Sequence, residues 1–205
     1  MTKLLLATHN RGKVKDLQAL LADSGITVLS LDDVPPFPEV EEDGETFLDN
    51  ARKKAWACQK ASGLTCLADD SGLEVEILDN APGVRSARYG GEPSDDRRNV
   101  KRLLKELEDY PSPKQRDAHF ACVLVLACND GREFVTEGYC HGTIAMEPSG
   151  DNGFGYDPVF LHPSHGGLTM GEVSREEKNR VSHRGAALRS MKPILLSLAS
   201  DMDES

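Results

Sequence analysis

Apolar positions along this chain follow two patterns: short unbroken runs, and stretches where they recur every three to four residues. Residues 3–7 form a run of strand length. A helix is expected from about Lys13, because Val14, Leu17 and Leu21 share one face with Leu20 beside them, and Ser24-Gly25 stops it. Residues 26–31 predict a second strand. Strand, loop, helix and strand in that order are the usual opening of an α/β fold with a parallel pair. Residues 34–45 are Pro-rich and acidic and predict a loop. Thr46 is placed to cap a helix with Phe47, Ala51, Ala55 and Cys58 as its apolar stripe, ended by Gly63. Residues 64–68 predict a third strand running into Asp69-Asp70-Ser71-Gly72, and residues 73–78 a fourth. Ser94 is placed to cap a helix whose Val100, Leu103, Leu104 and Leu107 make a core face. Residues 118–128 and 133–137 flank Asn129-Asp130-Gly131, a hairpin signal. Residues 147–171 are rich in Gly and Pro, with little periodicity. Ser174-Arg175-Glu176-Glu177 has capping-box spacing, and a last helix is expected over 182–198, kinked or split by Pro193.

Composition narrows the class. A length of 205 residues suits one domain over 1–205, with room for two lobes and a real core. The 24 Lys and Arg against 34 Asp and Glu give a formal charge of −10, which repels a nucleic-acid polymer. A small phosphate ligand remains possible, because a cleft can be locally basic on an acidic protein. The five cysteines are odd in number, lack C-x-x-C spacing and mostly sit among apolar neighbours, so reduced thiols in or near the core are expected. The first residues have too short an apolar run for a signal peptide, and the longest run, 120–128, is too short to span a bilayer. A cytoplasmic protein with no membrane partner is expected.

Four segments can carry chemistry. Thr8-His9-Asn10-Arg11-Gly12-Lys13 lies between a strand and a helix start, where backbone N–H groups and the helix dipole favour an anion. It lacks the Walker A pattern and also reads as an ordinary polar loop with an N-cap. Asp69-Asp70-Ser71-Gly72 follows a strand, where α/β proteins bind ligands, and its hard oxygens suit Mg²⁺; it also reads as an acidic turn. Glu41-Glu42 can add a ligand or be a solvated charge run. Gly153-Phe154-Gly155-Tyr156-Asp157-Pro158 places an aromatic between glycines, either exposed for base stacking or packed in a turn. Residues 178–185 hold Lys178, Arg180, His183 and Arg184; basic residues at a helix start oppose the dipole, which suggests triphosphate charge as their partner unless they form a solvated face.

These segments resemble, in order, those of the inosine triphosphate pyrophosphatase family. Its motifs match Thr8-His9-Asn10-Arg11-Gly12-Lys13, Asp69-Asp70-Ser71-Gly72-Leu73, Ala81-Pro82-Gly83-Val84-Arg85-Ser86-Ala87-Arg88-Tyr89, Gly153-Phe154-Gly155-Tyr156-Asp157-Pro158 and Ser182-His183-Arg184-Gly185. Each is weak alone, and all five in sequence are specific. His9 departs from the Gly of many relatives, which implies a small change of loop geometry and no change of reaction.

The resemblance implies an α/β fold: an elongated mixed sheet flanked by helices, with two lobes about a central cleft. It also implies a homodimer, a Mg²⁺ cofactor and release of pyrophosphate from non-standard purine triphosphates such as ITP, dITP and XTP. By the same resemblance Asp70 is the general base that activates water. Glu41 and Asp70 are the metal ligands, with Glu42 open as an alternative to Glu41. Thr8, Asn10 and Lys13, in the loop with His9, Arg11 and Gly12, cradle phosphate with Ser71 beside them, and Lys178 is a second triphosphate contact. Phe154 stacks on the base within the segment that includes Gly155, Tyr156 and Asp157, and His183 and Arg184 face the purine 6-position. A relative that hydrolyses modified pyrimidine nucleotides, and a nucleotide sensor without turnover, are the competing readings.

Overall fold

Segment 8–13 turns into a helix because Asn10 caps it: its side-chain oxygen accepts from Gly12 N at 2.9 Å and Lys13 N at 3.3 Å. In this computed structural model, which describes residues 2–203, strand β1 (Thr2–Leu6) leads through that loop into α1 (Arg11–Leu20). Next come β2 (Ile26–Leu29), α2 (Phe47–Ser62), β3 (Thr65–Val75), α3 (Asp96–Glu106), β4 (Asp117–Ala127) and β5 (Glu133–Ile144). Strand β6 (Phe160–Leu161) and helices α4 (Arg175–Val181) and α5 (His183–Asp203) complete the order. The sheet runs β2-β1-β3-β4-β5-β6, with β1 parallel to both β2 and β3 and β5 antiparallel to β6. It is thus the mixed, helix-flanked sheet that the resemblance implies.

Several boundaries differ from expectation for local reasons. The first helix starts earlier than Lys13 because the Asn10 cap sets its beginning. The second strand stops at Leu29 because Ser30 caps a short 3₁₀ turn, Leu31–Asp33. The expected third and fourth strands are one: β3 runs straight through Asp69-Asp70-Ser71-Gly72, which is neither a turn nor a strand end. Asp95, not Ser94, caps α3, while the Ser94 hydroxyl donates to the Ala87 carbonyl. Strand β5 runs on to Ile144, its glycines hiding an alternation in which Tyr139 and His141 are exposed and Cys140 is buried. Thr46 and Gly63 bound α2 as expected, Gly63 at φ 69°. The helix expected over 182–198 passes through Pro193 without splitting, its buried Leu188, Met191 and Leu195 holding it to the core.

The chain divides into two compact units, and β3, β4 and β5 contribute residues to both. The first unit comprises residues 1–70, 122–138 and 186–205, and packs Leu4, Leu6 and Leu67 against Leu17, Leu124 and Met191. The second comprises 71–121 and 139–185, with Leu73, Leu103, Leu107 and Phe160 in its core. All five cysteines are free and buried, as their apolar neighbours predict. Burial pushes the Cys66 thiol up and that of Cys140 up to about 11, which keeps both protonated at neutral pH.

In the first unit Arg52 Nε and Trp56 Nε1 of α2 donate to Glu133 of β5 at 2.9 and 2.7 Å. The Arg52 hydrogen bond, aided by that from Trp56, holds the Glu133 carboxyl below the ordinary carboxylate range. A carboxylate lowered on folding stabilises the fold fully above its unfolded pKa, and that contribution is lost as pH falls through the folded value. Glu133→Gln should therefore lower Tm most at neutral pH, and the gap to the parent should close as the pH of thermal melts drops below about 4.3, the ordinary value for Glu. A gap that stays constant into acid contradicts this.

Candidate functional site

In the first unit the site is organised by the two-residue period of β3. Leu67 packs in one cluster with Leu17 and Leu21, on and just beyond α1, while Cys66 packs in another with Cys58 of α2. Continuing the alternation, Asp69 faces α1 and Asp70 faces α2. The contacts agree. Lys13 Nζ of α1 donates to both oxygens of Asp69, at 3.0 and 2.9 Å. Asp69 is 5% exposed, so it needs this cation. Asp70 Oδ2 accepts from Asn50 Nδ2 of α2 at 3.0 Å, and Asp70 Oδ1 lies 3.8 Å from Lys54 Nζ. Lys54 also donates to Glu42 Oε2 at 3.0 Å, so one ammonium serves both carboxylates. A cavity of about 550 Å³ is lined by Thr8, His9, Glu42 and Lys54, with Pro36, Phe37 and Pro38 among its other walls.

The loop 8–13 differs from a bare anion-binding helix start. The Gly12 and Lys13 amides donate to Asn10, and the Asn10 amide donates to Thr8 Oγ1 at 3.1 Å. His9 Nδ1 meets Asp32 Oδ1 at 2.6 Å on the surface, and Arg11 is exposed at the first position of α1. A phosphate here would be met by Thr8 and Asn10 side chains and by Lys13, rather than by a row of amides.

The carboxylates suit a hard divalent cation. Lys13 and Lys54 face three carboxylates, Glu42, Asp69 and Asp70, leaving this set net negative. Glu42 and Asp70 direct oxygens at one ammonium, where a cation with its own waters would be equally matched. Glu42, not Glu41, takes that place, and Glu41 is exposed. Among the described residues no group of three or more His, Cys, Asp or Glu forms a metal cluster.

In the second unit Phe154 is 66% exposed, held on a loop whose amides are fastened from below. Phe154 N donates to Asp157 Oδ2 at 2.7 Å and Gly155 N to Asp96 Oδ2 at 2.7 Å. Asp157 is buried and also pairs with Lys178, whose Nζ sits 4.3 Å from the centre of the Phe154 ring. Tyr156 is buried and its hydroxyl donates to the Ser86 carbonyl at 2.8 Å. Within this segment the ring of Phe154 is thus the part open to a ligand, while Tyr156 and Asp157, assigned to substrate by resemblance, face inward and support it. Arg184 Nη2 donates to Ser71 Oγ at 3.4 Å, and the His183 ring stacks on Phe120 at 5.0 Å and 14°. The expectation that the basic cluster opposes a helix dipole is corrected for half of it: Lys178 and Arg180 lie in the last turn of α4, where the dipole favours cations.

Among the residues in these contacts that escape motif reading are Asn50, Lys54 and Asp96. Asn50 and Lys54 are spaced by four on α2, flanking Ala51 and Ala55 of the buried stripe. Polar residues beside such a stripe are the signal that they serve a buried partner. Asp96 carries no comparable signal.

Residues 4–194 match the model of the Ham1 family. A dITP/XTP pyrophosphatase of Streptomyces avermitilis is 50% identical over 200 residues, covering 97% of this chain and 99% of its own. A dITP/XTP pyrophosphatase of Geobacter sulfurreducens is 50% identical over 195 residues, covering 95% and 97%. The solved Ham1 protein of Coxiella burnetii superposes with a TM-score of 0.88 at 40% identity, covering 96% of this chain and all of its own. The Staphylococcus aureus Ham1 protein does so at 0.87 and 38%, covering 95% and 98%.

The Asp157–Lys178 pair is the anchor of the Phe154 loop. Asp157→Ala leaves a mostly buried ammonium and the Phe154 amide without their acceptor, and should lower the unfolding free energy by about 3 kcal/mol in urea titration. Adding Lys178→Met should recover a large part of that loss. A single-variant loss below about 0.5 kcal/mol, the level of ordinary surface substitutions, would mean that the pair anchors nothing.

Proposed function

The chain belongs to the Ham1 family, and on that footing we propose that it hydrolyses non-standard purine nucleoside triphosphates, dITP, ITP and XTP, to the monophosphate and pyrophosphate. The observation that carries this reading is the division of labour on β3. Asp69 anchors and places Lys13, while Asp70 presents a carboxylate held by Asn50 and Lys54. Asp70 takes a proton from water, the water oxygen bonds to the α-phosphorus, and the bond from that phosphorus to the bridging oxygen breaks, so that pyrophosphate leaves. Lys13 and Lys54 counter phosphate charge, and Thr8 and Asn10 supply side-chain polar groups. Asp70 with Glu42 would hold Mg²⁺, which when bound neutralises triphosphate oxygens.

Phe154 supplies a stacking face open to any base, so selection falls to Arg184 and His183. Arg184 carries donors only, matching a 6-keto oxygen and opposing a 6-amino group. The family resemblance supports a homodimer and a cytoplasmic location. Among the described residues no helix is long and apolar enough to cross a membrane.

A pyrophosphate-release panel tests the reading. dITP and XTP should exceed dATP in kcat/KM by at least about 10²-fold, as expected where polar contacts read the base edge. EDTA should abolish turnover and Mg²⁺ restore it. A preference for modified pyrimidine triphosphates, or nucleotide binding without turnover, would overturn the assignment, and full activity in EDTA would remove the metal. Arg184→Ala should lower kcat/KM for dITP far more than for dATP; an equal fall would reassign Arg184 to the triphosphate.

A further inference from the structure

We infer that Asn50 is a positioning residue that sets the orientation of Asp70 and ties it to the acidic loop. The inference rests on the reading of Asp70 as the group that takes a proton from water. Asn50 lies in the first turn of α2, is 0% exposed, and is one of the few polar residues of the core. Its two amide ends have different partners. Asn50 Oδ1 accepts from Gly44 N at 2.7 Å, and Asn50 Nδ2 donates to Asp70 Oδ2 at 3.0 Å. A backbone N–H can only donate and a carboxylate can only accept, so both partners demand the same orientation of the amide. Gly44 is needed for the approach, since a Cβ there would lie 2.7 Å from Asn50 Oδ1 and 2.7 Å from Asp49 Cβ.

This geometry makes the two oxygens of Asp70 unequal. Oδ2 is held by a neutral donor on a buried helix turn, and Oδ1 faces Lys54, four residues further along α2. The carboxylate plane is thereby fixed from one helix, and Gly44 ties to that helix the segment carrying Glu42. The asparagine amide does both jobs at once, its oxygen accepting and its nitrogen donating. Aspartate would keep an oxygen for Gly44 N–H yet turn a second carboxylate on Asp70, and an apolar side chain would lose both contacts.

Steady-state kinetics with dITP and an activity-independent spectrum test this. Asn50→Asp preserves shape and the Gly44 contact, and its kinetics are read on protein that circular dichroism shows to be folded. Its kcat should fall on the order of 10²-fold, the usual effect of misplacing a reacting group, with KM within about threefold. Gly44→Ala, which disturbs the same amide from its other end, should show a smaller loss with the same split. In two-dimensional NMR the Asn50 side-chain amide should shift in Asp70→Ala and stay in place in Lys60→Ala, a distant exposed change on α2. Parent-level kcat in folded Asn50→Asp, or a loss carried wholly by KM, would overturn the inference. An Asn50 amide unmoved by Asp70→Ala would overturn it whatever the activity. If the parent protein itself releases no pyrophosphate, the functional reading falls, and the NMR result still decides whether Asn50 positions Asp70.

Discussion

A β-strand sends consecutive side chains to opposite faces, and here that rule acts on two adjacent aspartates inside a largely buried strand. Neither carboxylate can be left without a partner in such a setting, because a buried unpaired charge is far costlier than an exposed one. One partner cannot serve both, since they face different helices. The outcome is an obligatory assignment: α1 brings Lys13 to Asp69, and α2 brings Asn50 and Lys54 to Asp70. The placement of both helices, the cap at Asn10 and the Gly44 approach all serve this arrangement. The pairs also differ in kind. Asp69 is chelated by a lysine and 5% exposed, whereas Asp70 is held by a neutral amide at Oδ2 and faces Lys54 at Oδ1.

The second unit solves a related problem with one buried carboxylate. Asp157 accepts from the Phe154 amide and pairs with Lys178, so an exposed aromatic ring stands on a loop that would otherwise have little to hold it. The same lysine lies over that ring. Gly153 has φ +83° and leaves no room for a Cβ against Asp157, which explains why the first glycine of this segment is needed there.

Much of this was readable from local pattern. Thr46, Ser174 and Gly63 act through their own neighbours in sequence, and they bound the helices where spacing places them. The glycines around Phe154 leave its ring either exposed or packed in a turn, and the fold leaves it exposed. What stayed hidden depends on contacts distant along the chain. Asp69-Asp70-Ser71-Gly72 has the composition of a turn, yet sheet pairing and partners on two helices keep it extended. Glu41 and Glu42 are indistinguishable in a charge run, and Lys54 on a helix beyond them sides with Glu42. Tyr156 and Asp157 belong to a motif that the resemblance assigns to substrate, and packing turns both inward. The family resemblance was legible because five short motifs keep their order, and the family match over residues 4–194 agrees with it.

The strand aims the two neighbouring aspartates apart, and the proposed mechanism gives them different work. Steady-state kinetics of Asp69→Asn and Asp70→Asn with dITP, run side by side on folded protein, tests it most directly. Asp70→Asn should lose at least roughly 10²-fold in kcat with KM nearly unchanged, as for a lost general base. Asp69→Asn should chiefly raise KM, since it releases Lys13 from its anchor. Near-normal kcat in Asp70→Asn, or the same pattern of loss in both variants, would contradict this division between the two carboxylates.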